Sequence, residues 1–234
     1  MLPRRTLAAG MQVSVQAFIV QFSTVPLVGA CVVGLLRYGR LQAAQRYLAW
    51  LSWLALLVTA VALWFSSHHR PNLFLAPIDT AIELTLLAMM YRRALWPLAI
   101  ARYVPLGIGV FLLGSALTYV PQLNTVQFSP VQHFIESLAV LALAGAYLWQ
   151  LLQPPLTLAP LEREPMFWVS AGATLYFAGN CLIFLTSNLI LLYSQELSLD
   201  VWTVHALLYS FLNCFYIVAL AVTPQLPASD VTQS

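Results

Sequence analysis

Seven long apolar runs divide the chain, separated by short stretches rich in polar residues and proline. They cover roughly residues 12–36, 47–66, 73–91, 98–120, 131–152, 166–191 and 201–222. The breaks fall at 37–46, 67–72, 92–97, 121–130, 153–165 and 193–200. A helix needs about 20 mostly apolar residues to cross a bilayer, so each run is expected to be one span. The third is the least apolar, because it carries Asp79 and Glu83. The runs are too long for barrel strands and do not alternate with period two. The pattern predicts an all-α, polytopic transmembrane bundle of seven helices. Residues 1–234 form a single transmembrane domain, ending in a short tail at 223–234.

Composition supports this reading. Apolar residues make up 61% of the chain and charged residues 8%, with a mean hydropathy of +0.81. Soluble domains carry about 25% charged residues, so this surface needs lipid. The net charge of +2 provides no basic face for nucleic acid. Cys31, Cys181 and Cys214 all lie in apolar stretches. They form no disulfide framework or CxxC metal site and are expected to be buried, inert thiols. Arg4 and Arg5 precede the first run as in a signal peptide. That run holds Gln12, Gln16 and Gln21 and shows no cleavage site, so it is expected to stay as the first helix.

Arginine placement orients the bundle. Arg37, Arg40, Arg46, Arg92, Arg93, Arg102 and Arg163 lie in or beside the first, third and fifth loops, while Arg4, Arg5 and Arg70 lie on the opposite side. The majority sets the odd loops in the cytoplasm, the N-terminus outside and the C-terminus inside. Trp64, Trp96, Trp149, Trp168 and Trp202 fall near the expected helix ends, as interfacial anchors do. No connecting stretch is long enough to fold as a domain, so any signal is expected to leave through a partner.

With that topology, the polar residues gather in the outer half. Asp79 and Glu83 are four apart on the third helix, and His133 and Glu136 three apart on the fifth, so each pair shares a face. His205, Tyr209, Asn213 and Tyr216 run down one stripe of the seventh. Gln12 and Gln16 lie near the outer end of the first helix, His68 and His69 end the second, and Ser187 and Asn188 end the sixth. A charge at the bilayer centre costs roughly 2.5–3.5 kcal/mol on insertion scales, so Asp79 and Glu83 are expected to face the interior. The expected site is an outward-opening polar pocket of Asp79, Glu83, His133, Glu136, His205, Tyr209 and Asn213, suited to binding a small ligand or sensing protons.

The same five ionisable residues, Asp79, Glu83, His133, Glu136 and His205, are a donor set for zinc, manganese or iron. In helical bundles a carboxylate and a histidine three apart project inward together. Retinal is excluded, because its Schiff base needs a lysine and the chain has none. No P-loop, GxGxxG, HExxH or nucleophile elbow occurs. Small residues at Gly107, Gly114, Ser115, Gly172, Ala173, Ala178 and Gly179 are expected to let the fourth and sixth helices approach their neighbours.

Two resemblances add to this. Ser66, His68, Asp79 and His205 are loosely similar to the site of ceramidase- and progestin-receptor-type membrane hydrolases, although Tyr209 stands where the second histidine of their seventh-helix pair belongs. Three stretches resemble small seven-helix membrane proteins from Bacteroidetes-type bacteria, matching at Glu83, Tyr176, Asn180, His205 and Asn213. These are residues 72–93 (NLFLAPIDTAIELTLLAMMYRR), 167–188 (FWVSAGATLYFAGNCLIFLTSN) and 202–221 (WTVHALLYSFLNCFYIVALA). Members often lie near signalling genes, so this resemblance implies a sensory role in a bacterial inner membrane but no mechanism. The leading expectation is a sensor or receptor module with a cytoplasmic signalling protein as partner. A metal-dependent intramembrane hydrolase is the alternative. A small transporter is third, disfavoured because no internal repeat is visible and only Pro26, Pro77 and Pro105 are candidate helix breaks.

Overall fold

The computed structural model describes residues 18–19, 22–120, 130–153, 160–193 and 195–222, with side-chain detail excluding 185–193 and 195–198. Arg4, Arg5, Gln12, Gln16, Gln21 and the tail at 223–234 lie outside the described residues, as do the side chains of Ser187 and Asn188. Among the described residues the fold is all helical. The helices are α1 (Val25–Arg37), α2 (Ala43–Ser67), α3 (Leu75–Ala94), α4 (Ile100–Thr118), α5 (Pro130–Leu151), α6 (Pro165–Tyr193) and α7 (Gln195–Ala221).

Local chemistry explains most starts. A first-turn proline loses nothing, because its missing N–H has no intrahelical acceptor. Pro130 and Pro165 open α5 and α6, and Pro26 sits in the first turn of α1. The start of α2 is fixed by a reciprocal cap, in which the Gln42 N–H donates to Gln45 Oε1 at 3.0 Å. Helix α7 begins at Gln195 instead of the expected 201. Asp200 does not break it, since a charge on an exposed face near a helix end is tolerated and Glu and Leu favour helix.

Five helices are long and apolar enough to cross a membrane: α2, α4, α5, the Pro165–Phe184 part of α6 and the Leu199–Ala221 part of α7. The described part of α1 has 13 residues. Helix α3 carries Asp79, Glu83, Arg92 and Arg93 within 20 residues. The chain is therefore a multi-pass membrane protein by its apolar helices.

Six helices close a ring in the order α1, α2, α3, α5, α6, α7 and back to α1, while α4 lies outside it against α3. The two ends of the ring differ. Where α3, α5 and α7 finish, Leu48, Leu87, Met90, Tyr91, Leu95, Val140, Val169 and Leu220 pack with 1% exposure or less. The Tyr91 and Ser170 hydroxyls hydrogen-bond at 3.2 Å inside this core. Gln45, also buried, donates from Nε2 to Ala219 O at 2.8 Å and Val222 O at 3.2 Å, and Arg37 donates to Ala221 O. These donors cap carbonyls that the end of α7 leaves without intrahelical partners.

Several expectations are corrected here. Only Cys31 is a buried thiol, with its Sγ donating to Ser52 O at 3.1 Å. Cys181 is half-buried, and Cys214 is exposed on the outer face of α7; apolar neighbours mark a lipid-facing stripe as readily as a core. Close approach holds for α6, while on α4 it holds at Ser115, whose Oγ accepts from Gln132 Nε2 at 3.1 Å, and not at the two glycines. A Cβ at Gly172 would lie 2.7 Å from Phe215 Cβ, and one at Gly179 would collide with Leu208. Gly107 and Gly114 have nothing within 4 Å, because α4 stands outside the ring. Ala178 is exposed as well. Trp202, near the start of the Leu199–Ala221 stretch, also lines the interior of the ring.

Candidate functional site

At the other end of the ring, where α3, α5 and α7 begin, the packing opens into a cavity of about 240 Å³. All six ring helices line it and α4 does not. Asp79 and Glu83 come from α3, His133 and Glu136 from α5, and Tyr176, Asn180 and Phe184 from α6. Helix α7 contributes Trp202, His205, Tyr209, Asn213 and Tyr216, while α2 adds Ser52 and Thr59 and α1 adds Leu27. The seven residues expected from the sequence thus surround one cavity. His68 and His69 are exposed beyond the end of α2 and take no part.

Short contacts fix several of these side chains. His133 Nδ1 lies 3.4 Å from Glu136 Oε2, the contact expected from their i, i+3 spacing. The Thr80 hydroxyl donates to Ala76 O at 2.9 Å and lies 3.0 Å from His133 Nδ1. With its one proton used on Ala76, it accepts the imidazole N–H. His205 donates from Nδ1 to Asn180 Oδ1 at 2.9 Å, and Asn213 Nδ2 donates to Tyr209 O at 2.9 Å. The Phe184 ring stacks on His133 at 4.8 Å and lies 6.2 Å from His205, so one aromatic ring neighbours both imidazoles. Tyr176 lies 5.8 Å from His205 and 6.1 Å from Tyr209, ring to ring.

Two polar atoms on the wall are left over. Glu136 Oε1 and the Tyr216 hydroxyl are buried with no hydrogen-bond partner among the described residues. Their residues are 2% and 3% exposed. A buried polar atom without a partner costs about 1–3 kcal/mol, more if charged, so native proteins rarely keep one without cause. Among the described residues no arginine lines the cavity, and the chain has no lysine. Its three carboxylates therefore have no fixed cation to answer them.

The metal reading is not carried by this arrangement. Among the described residues no three His, Cys, Asp or Glu side chains come together as a metal-holding group. The five expected ligands share a cavity but do not form one centre. The hydrolase-like set is split too. Ser66 and His68 are exposed at the end of α2, away from Asp79 and His205 in the cavity.

Sequence reasoning missed Thr80, which holds His133, and left Tyr176 and Asn180 out of the pocket. The spacing of Tyr176, Asn180 and Phe184, every fourth residue on α6, was the available signal. Comparison with known proteins finds no matching family model, no curated relative and no similar solved structure.

Proposed function

We propose that the chain is a receptor-like sensor of a bacterial inner membrane. In this reading seven helices span the bilayer, the N-terminus lies outside and the C-terminus in the cytoplasm. The cavity opens outward to a small ligand or to protons, and the opposite end passes the event to a separate signalling protein. The observation that carries it is the cavity wall: five ionisable side chains on three helices, with Glu136 Oε1 and the Tyr216 hydroxyl unpartnered. Intramembrane ionisable residues are costly and so point to function by default. Facing a shared cavity instead of lipid also makes α3 tolerable as a span despite Asp79 and Glu83.

The orientation is supported by the arginines. Those beside the tightly packed end are Arg37, Arg40, Arg46, Arg92, Arg93, Arg102 and Arg163, against Arg70 beside the cavity end and Arg4 and Arg5, which lie outside the described residues. A sensor is favoured over a transporter because the described helices run unbroken, with Pro26 and Pro77 in first turns and Pro105 inside α4, away from the cavity.

Reporter fusions at Gln153 and after Ser234 should both report cytoplasm; a periplasmic signal from the second overturns the orientation or the span count. The outward opening is tested by Thr59→Cys in a background without the three native cysteines. Thr59 lines the cavity. A membrane-impermeant maleimide added to intact cells should label it, and labelling confined to inverted vesicles would refute an outward cavity.

A further inference from the structure

The chemistry of the cavity wall also specifies an occupant. We infer that the cavity is built for a small organic ammonium ion, held by its carboxylates against an aromatic wall. This rests on the ligand-pocket reading above and names the ligand class.

The first argument is charge. Asp79, Glu83 and Glu136 converge on a space that, among the described residues, no Arg or Lys lines. His133 lies against Glu136 Oε2, while the second Glu136 oxygen has no partner among the described residues. Buried charges are kept when paired, and here the missing partner is a cation from outside the chain.

The second argument is the unpartnered oxygen itself. Glu136 is 2% exposed, and its Oε1 has no donor among the described residues. It therefore presents an acceptor to whatever fills the space.

The third argument is shape and surface. A water needs about 10–15 Å³ of such space, and the cavity offers about 240 Å³. A single metal ion would rattle in it, and no metal-holding group of side chains exists among the described residues. Aromatic rings from two helices, Tyr176, Phe184, Trp202, Tyr209 and Tyr216, form much of the wall. Ring faces attract alkylammonium groups, the more so when desolvated, which is how aromatic cages recognise them. Carboxylates alone would suit any cation, whereas carboxylates with aromatic faces select an organic one.

The test uses the full chain, purified in detergent, with thermal unfolding as readout. The probes are tetramethylammonium, choline and benzylammonium, each beside a neutral counterpart such as dimethylbutanol for choline and benzyl alcohol for benzylammonium. Sodium chloride at equal concentration is a further arm, and acetate provides an anion. At least one ammonium ion should raise Tm saturably while its neutral counterpart, sodium and acetate do not. Glu136→Gln should weaken that binding about tenfold or more, as expected for losing one buried charge partner. If that variant does not fold, Asp79→Asn and Glu83→Gln carry the same arm. Equal stabilisation by the neutral counterpart, by acetate or by sodium overturns the ammonium assignment and leaves a ligand pocket standing. Ammonium binding that ignores all the carboxylate variants overturns it as well. No shift with any probe overturns the ammonium assignment, while the pocket reading stands or falls separately on the labelling of Thr59→Cys.

Discussion

The two ends of the same six helices are built differently. Where α3, α5 and α7 finish, Tyr91, Leu87, Met90 and Leu95 are 0% exposed, and Tyr91, Ser170 and Gln45 have partners, while Gln150 Oε1 is the one buried polar atom there without a partner among the described residues. Two turns away along the same helices, three carboxylates and two histidines surround empty volume, and two buried polar atoms lack partners. Weak helix packing cannot explain the void, since the same helices close fully at one end. Hydrophobic burial also gives no drive for helix association within lipid, so the bundle depends on close packing and interhelical hydrogen bonds. The packed end therefore carries the association, and the cavity end is free to hold groups that reduce stability. That division is expected where a site must bind something.

The largest predicted effect lies at the packed end. Tyr91→Ala removes a fully buried ring together with its hydrogen bond to Ser170. Loss of a buried aromatic typically costs about 3–5 kcal/mol. Thermal or denaturant unfolding in detergent should show a drop of that order. A drop no larger than that of Leu57→Ala, on the exposed face of α2, would mean the packed end does not hold the bundle.

A second pair of substitutions contrasts ring and outlier. Gly172→Ala in α6 sets a methyl 2.7 Å from Phe215 Cβ, and such overpacking costs about 1–3 kcal/mol. Gly107→Ala in α4 meets nothing within 4 Å and should be neutral or slightly stabilising, because alanine is the better helix former. Equal costs at the two positions would mean that α4 is packed by something beyond this chain's described residues.

The third pair compares two hydroxyls. Tyr91→Phe deletes a group bonded to the buried Ser170 and should cost about 0.5–1.5 kcal/mol. Tyr216→Phe deletes one with no partner among the described residues and should cost nothing, or stabilise. A matching loss at Tyr216 would show its hydroxyl to be satisfied within the protein, removing part of the case for a ligand site.

How much of this was legible in the sequence follows from the physics of each feature. Helix identity was readable because 61% apolar composition in seven runs leaves little alternative. The pairs Asp79 with Glu83 and His133 with Glu136 were readable because spacings of four and three fix a shared face. Their arrival at one cavity needed the ring order, which periodicity does not contain. The exclusion of α4 was invisible for the same reason: its glycines look like packing glycines, yet only position relative to the ring decides whether anything approaches them. Cys214 was misjudged because in a membrane protein both faces of a helix are apolar, so hydropathy does not separate core from lipid. Thr80 was missed because a single hydroxyl inside an apolar run gives no sign of the imidazole it will hold.

The smallest predicted effect is electrostatic and belongs to the packed end. Glu164, just before α6, lines a groove with Tyr147, Arg92 and Arg93. Burial pushes its carboxyl above the usual carboxylate range. The nearby arginines and the α6 N-terminus favour the charged form, but no ion pair with Glu164 forms among the described residues, and desolvation prevails. A carboxyl whose folded-state pKa is raised contributes stability below its unfolded pKa and loses it as pH rises through the folded value. The wild type should thus be slightly handicapped at neutral pH relative to Glu164→Gln, and the two should converge in acid. The gap will be small, since the group is only half-buried and solvent screens it. Unfolding midpoints of both proteins at about pH 4 and about pH 8, either side of the carboxylate range, provide the measurement. If the Gln variant is instead the less stable at neutral pH, the carboxylate is held by Arg92 or the helix end. The packed end would then depend on charge as well as on close packing, and the contrast between the two ends would narrow.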